Sequence, residues 1–314
     1  MHREAQTKPQ KKEKSSEFKN ITKPICIRCN SSSIKKMGFR KTENRGNQQR
    51  WLCKSCKKSF TIDEGFWKMK NNPNKITEAL HLYFSGTSLR KTQAHLGVFR
   101  ESNCSYVTIL EWIRKYATLV GNFADSLNLK VGEELMSDEM EYSVKGKQSW
   151  FVDVMDTKTR YMVSSDFMRS RTIERLVEVL KKAKDKTGEQ VKIVTTDGLQ
   201  GYPRVLRRTF GLQSPYHSSS KTKSKIIHNI VIASERGFNH KIERLHNSIR
   251  ERTKIMRGFG ELNSAKSIMK GYEIYYNFCR KHQALNKYPY ELATNLELGN
   301  NKWLDLIKLA KSKK

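Results

Sequence analysis

No apolar run in the 314 residues approaches the roughly 20 that a membrane helix needs, and the opening Met-His-Arg-Glu-Ala-Gln lacks the apolar stretch of a secretory signal. Both absences set the expectation of a cytoplasmic chain with no membrane partner. Acidic residues are scarce: 31 Asp and Glu stand against 61 Lys and Arg, a net charge of +30. That surplus exceeds ordinary surface variation and draws polyanions. Nucleic acid is the expected partner, with an anionic membrane surface as the rival. Large apolar side chains are almost missing from residues 1–24, which cannot bury enough surface to offset ordering entropy and read as a disordered basic tail.

Cysteine is sparse but patterned. Of the six, Cys104 and Cys279 read as buried free thiols, while Cys26-Ile-Arg-Cys29 and Cys53-Lys-Ser-Cys56 form two C-x2-C pairs separated by 23 residues. Each pair aims two thiolates at one point, and together they supply the S₄ shell of a closed structural site for one Zn²⁺. Trp51 and Phe60 flank the second pair and are expected to cover it. Residues 25–66 therefore read as a zinc ribbon.

Residues 74–122 read as a helical module. Ile76, Ala79, Leu80, Tyr83 and Phe84 share one face, Ser85-Gly86-Thr87 makes a turn, and Ser88 caps a second helix that Gly97 is expected to end. A third helix follows Tyr106, with Ile109, Trp112, Ile113 and Tyr116 inward. This order suits a helix-turn-helix, in which the helix after the turn enters the major groove; a plain helical bundle is the alternative.

From about residue 130 strand and helix patterns alternate. Trp150-Phe-Val-Asp-Val-Met and Tyr161-Met-Val-Ser-Ser are strand-like, Thr172 starts an amphipathic helix, and Val191 begins a strand ending at Asp197. An α/β domain over 130–290 with a mixed sheet follows, then a helical basic tail over 291–314. Ser218-Ser-Ser-Lys-Thr-Lys-Ser-Lys reads as a basic loop. Asp138 lies on a plausible strand, Asp197 at a strand end, and Glu243 on a helix with Ile242, Leu245 and Ile249. Two strand-borne Asp and one helix-borne Glu suit a pair of Mg²⁺ (or Mn²⁺) ions about 4 Å apart, placed for in-line displacement at phosphorus. Glu139 and Asp153 are rivals for the first position and Glu235 for the third. Glu243, His246 and Arg250 fall at i, i+3 and i+7 of one helix face, which suits one carboxylate for metal and cations for DNA phosphate.

These motifs, in this order, resemble the prokaryotic insertion-sequence transposases of the DDE class. The resemblance rests on the ribbon ending Trp51-Leu-Cys-Lys-Ser-Cys, on Ser137-Asp138-Glu139 with Val144-Lys-Gly-Lys and Trp150, and on Thr196-Asp197-Gly198 with Tyr202. It continues through Asn239-x3-Glu243-x2-His246 with Arg250 and Met256-Arg-Gly-Phe259, to Tyr276-Asn277-x2-Arg280-x-His282-x2-Leu285. It implies an RNase H-like, retroviral-integrase-like core with Asp138, Asp197 and Glu243 as catalytic ligands. It further implies recognition of terminal inverted repeats by the ribbon and helix-turn-helix, 3′-end cleavage and strand transfer on double-stranded DNA, association with the nucleoid, and a homodimer or larger assembly. The separation of 45 residues between Asp197 and Glu243 is longer than the usual pattern and implies an insertion. A transposase-derived regulator without catalysis and an RNase H-like nuclease or integrase are the alternatives.

Overall fold

The computed structural model describes residues 24–211, 226–231, 240–256 and 258–312. The basic tail (apart from Pro24), the loop 218–225, Glu235 and Asn239 lie outside them. The chain forms two compact units, divided between Ile62 and Asp63.

The first unit is a three-stranded antiparallel sheet of β1 (Ile34–Thr42), β2 (Gly46–Cys53) and β3 (Ser59–Thr61) in sequential order. Cys26, Cys53 and Phe60 are its buried residues, with Ile34, Trp51 and Cys56 packed against them. So small an apolar core cannot offset chain entropy alone, which fits a unit closed by metal. Trp51 and Phe60 cover the thiols as expected.

The second unit opens with α1 (Pro73–Phe84), α2 (Leu89–Arg100) and α3 (Tyr106–Asp125). Each start is capped: Asn72, Ser88 and Ser105 accept hydrogen bonds from the backbone N–H of Asn74, Lys91 and Thr108. Gly97 does not end α2. The helix runs on to Arg100 and stops where Glu101 turns left-handed at φ 48°, because a single helical glycine costs only about 1 kcal/mol.

A five-stranded sheet follows, in the order β6 (Met162–Met168), β5 (Lys147–Asp156), β4 (Glu134–Val144), β7 (Ile193–Thr196), β8 (Ile227–Ile230). The first three are antiparallel neighbours, whereas β7 runs parallel to β4 and β8 parallel to β7. Between them come α4 (Ile173–Thr187) and α5 (Tyr202–Thr209), and afterwards α6 (His240–Lys254), α7 (Leu262–Ile274), α8 (Pro289–Ala293) and α9 (Lys302–Ser312). This is the mixed-sheet RNase H-like fold. The interior strand β5 is buried from Phe151 to Asp156, as a strand covered on both faces must be.

Helices α1–α3 share one continuous core with the sheet. Gly271 on α7 shows how closely they approach: a Cβ there would stand 2.2 Å from the ring of Phe84 on α1. Phe84 is held in turn by stacking on Trp303 of α9, ring centroids 5.6 Å apart.

Candidate active site

Pairing between β4 and β7 ends at Met136 and Thr195, and the two strands then part. Parting parallel strands leave a crevice at their carboxyl ends, the usual place for a site in such a sheet. Asp138 on β4 and Asp197, just past β7, meet there with Glu139, and the three offer carboxylate oxygens within 4.8 Å of one another. Beneath them Tyr202 is fully buried, its hydroxyl 3.2 Å from Ser137 Oγ. Two backbone donors fix the aspartates: the Glu139 N–H reaches Asp138 Oδ1 at 2.7 Å and the Leu199 N–H reaches Asp197 Oδ1 at 3.1 Å.

Three carboxylates this close, partly out of water, resist ionisation. Burial raises Asp138 to about 6, with Asp153 and Asp197 adding repulsion and His246 opposing the rise. Burial followed by repulsion from Asp197 and Asp138 raises Glu139 to about 7. Glu139 Oε1 is buried with no hydrogen-bond partner. An unpartnered buried carboxylate oxygen facing two others is the donor set that a hard divalent cation takes, so the residues present fit Mg²⁺ or Mn²⁺.

Helix α6 brings His246 to this face of the sheet. Asp153 lies directly across from Asp138 on β5 and is fully buried. His246 is buried between the two, Nε2 at 2.8 Å from Asp153 Oδ1 and Nδ1 at 3.6 Å from Asp138 Oδ2. Burial alone would lower this imidazole, but the Asp153 carboxylate, helped by Asp138, outweighs it and holds the group above its ordinary value. Glu243, half-buried in the first turn of α6, is not among the three clustered carboxylates; it stands one turn before His246 on the same face. Arg250, on the same helix, is exposed.

The family model for the DDE domain of IS240-type transposases matches residues 133–282, a span that includes the sheet, the acidic cluster and α6. Residues 133–282 are a DDE domain of the insertion-sequence transposase type. The DDE domain makes it a polynucleotidyl transferase, an enzyme class that works with divalent metal. No curated protein matches the chain significantly. Among solved structures it is similar to the magnesium-bound HTLV-2 integrase catalytic core domain, at 11% identity over 52% of this chain and 97% of that one, TM-score 0.38. It is also similar to the simian T-cell lymphotropic virus intasome in complex with a PP2A regulatory subunit, at 12% identity over 68% and 73% of the two chains, TM-score 0.36.

Beside the DDE domain's carboxylates, Arg171 stacks on Trp150, the guanidinium carbon 3.6 Å from the ring centroid. The burial of Asp153 and the inward turn of His246 escape sequence reasoning. The one signal for them is the placing of an acid inside the apolar run Phe151-Val-Asp-Val-Met.

In the first unit, Cys26, Cys29, Cys53 and Cys56 hold their sulfurs within 4.8 Å of one another. Two of the separations are 3.7 Å (Cys26–Cys56) and 3.6 Å (Cys29–Cys53). Four bonds of about 2.3 Å at tetrahedral angles require sulfurs about 3.8 Å apart, so the cluster fits Zn²⁺. The Cys56 N–H, 3.5 Å from Cys53 Sγ, is the largest of the influences that lower Cys53 to about 6 and favour thiolate.

Proposed function

We propose that the protein binds the terminal inverted repeats of its insertion sequence and catalyses two-metal 3′-end cleavage and strand transfer. The observation that carries this reading is the Asp138–Glu139–Asp197 cluster at the parting of β4 and β7, with a buried carboxylate oxygen unpartnered. Two Mg²⁺ (or Mn²⁺) ions bound there would supply activation of the attacking water or 3′-hydroxyl and stabilisation of the leaving 3′ oxygen.

Asp138 and Asp197 hold the ligand positions on the sheet. Glu243 completes the set from α6, and its place one turn from His246, which touches Asp138, supports that role. Asp153 and His246 are positioning residues: the imidazole bridges two carboxylates and keeps Asp138 in register with Asp197. This replaces a phosphate contact for His246, which is too buried to reach DNA. Arg250, exposed on the same helix, meets backbone phosphate.

The zinc ribbon and the α1–turn–α2 pair recognise the element ends. Exposed Arg90, Lys91 and Arg100 on α2 suit phosphate contact around a major groove. Two ends must be joined, so the working form is a homodimer or higher assembly on double-stranded DNA. The test is a gel assay with labelled element ends and random duplex, with and without Mg²⁺. Metal-dependent nicking at the 3′ ends followed by joining is the expected result; the same products without metal, or none from either duplex, would sink the reading.

A further inference from the structure

Three arginines and a histidine gather at the end of the sheet where the β5–β6 turn lies, and none belongs to the site above. Arg160 sits in that turn with φ 60°, its Nη1 buried and without a partner. Arg280 and His282 lie just past a π-helical turn (Tyr275–Cys279) that continues α7. That turn is anchored beside Arg160, since Asn277 accepts from the Met162 N–H at 2.8 Å and donates to the Met162 carbonyl at 2.9 Å. The guanidinium of Arg280 lies 5.6 Å from the ring centroid of buried Tyr276. His282 Nδ1 is buried without a partner, and its backbone N–H is tied to the Lys287 carbonyl at 2.8 Å. Arg244 reaches the same place from the exposed face of α6. The four sense one another: burial, then Arg280, Arg160 and Arg244, all lower the His282 imidazole, and burial together with Arg244 lowers Arg160.

Carboxylates that might neutralise this group are committed elsewhere. Asp156 Oδ1 accepts from the Gly132 N–H at 2.9 Å, and its Oδ2 from the N–H and hydroxyl of Thr159 at 2.8 and 2.6 Å. Glu134 Oε1 accepts from the Thr195 hydroxyl at 2.6 Å. Among the described residues no carboxylate comes within ion-pairing distance of Arg160, Arg244 or Arg280. Like charges held together with buried donors unsatisfied cost stability, and a bound anion offsets that cost.

We propose that Arg160, Arg244, Arg280 and His282 form a phosphodiester-binding site that grips the DNA backbone at a distance from the reacting phosphate. Arg guanidinium forks match phosphate oxygens, and the Tyr276 ring limits the freedom of one of them. Asp156 pairs with Leu135 and Asp138 with Asp153, so the turn lies three residues along β4 from the metal ligands. At about 3.4 Å per residue this is roughly 10 Å, and because successive phosphates are separated by the winding of the strand as well as by its rise, the gripped phosphate lies about one to two nucleotides from the cut. The inference rests on the proposed function, because it takes the substrate to be DNA.

The test uses the full-length, zinc-loaded protein with Arg244→Gln, Arg280→Gln and His282→Gln, and Lys181→Gln on α4 as the control. Binding to an end duplex is measured over a salt series, and thermal melts with and without inorganic phosphate are run beside it. Each Arg variant is expected to weaken binding and to reduce the slope of log affinity against log salt by about 0.9, while Lys181→Gln leaves the slope unchanged. Arg244 is exposed, so its variant folds regardless. Ethylation of the phosphate about one to two nucleotides from the cut should interfere with wild type and no longer with Arg280→Gln. Unchanged slopes in the Arg variants, beside a wild type that still nicks DNA with Mg²⁺, would overturn the cluster alone. Stabilisation by inorganic phosphate that the variants lose, with DNA slopes intact, would make it a small-anion site and also overturn the proposal. A wild type that neither binds nor nicks DNA would remove both readings.

Discussion

Asp138→Ala and Asp197→Ala are each expected to abolish Mg²⁺-dependent nicking and joining, a loss of at least a thousandfold, while binding to element ends stays within a few-fold of wild type, because loss of one ligand misplaces an ion during in-line displacement. The third carboxylate is decided by comparing Glu243→Gln with Glu139→Gln: the first should match the aspartate variants, and the second should weaken metal affinity with smaller loss at saturating Mg²⁺. The reverse ranking would move the third ligand to β4. Protonation gives a second check at this scale. Asp138 and Glu139 stand raised to about 6 and about 7, so the folded chain holds protons in a range where the unfolded chain has released them. Their contribution to stability therefore falls as pH rises from about 4 to 7, and His246, also raised, adds a loss in the same direction above its unfolded value near 6.5. Metal-free wild type should melt progressively lower between pH 5 and 8 than the Asp138→Asn/Glu139→Gln double variant, and added Mg²⁺ should close that gap at pH 8. Equal melting curves would refute it.

At the scale of elements, Gly271 and the cysteine ribbon yield sharp expectations. Gly271→Ala drives a methyl group into Phe84, which is buried and held by Trp303, so overpacking should cost about 1–3 kcal/mol in denaturant titration. Cys53→Ser should lose the single zinc by elemental analysis and unfold the ribbon locally, since metal binding supplies most of its folding free energy. The elements differed in how openly the sequence announced them. The capped start of α2, each Cys pair, and the place of Asp197 at the end of a strand follow from local spacing and turn chemistry, each within a dozen residues. The end of α2 did not, because Leu96 is buried and Glu101 supplies the left-handed cap that Gly97 was expected to give. His246 read as a cation for DNA phosphate, whereas α6 turns it inward to Asp153 on β5, 93 residues away in sequence. Arg160, Arg280 and His282 come together only through the Asn277 anchor, and no periodicity encodes such a contact.

Across the whole molecule, a net charge of +30 predicts binding to any duplex that weakens steeply with salt, so preference for element ends should appear as a ratio between two parallel lines on a logarithmic salt plot. No helix among the described residues is long and apolar enough to cross a membrane. The contact of Gly271 with Phe84 has a further consequence for inheritance. Helices α1–α3 complete their core with α7 and α9, which follow α6 in the chain. A graft of residues 63–128 onto another catalytic sheet would leave Val120, Phe123 and Phe84 facing water. On the proposed reading of α2 as a reader of element ends, that reading is tied to the DDE domain as one block, so a lineage that acquires new terminal repeats must change it by point substitution on α2 rather than by swapping these helices.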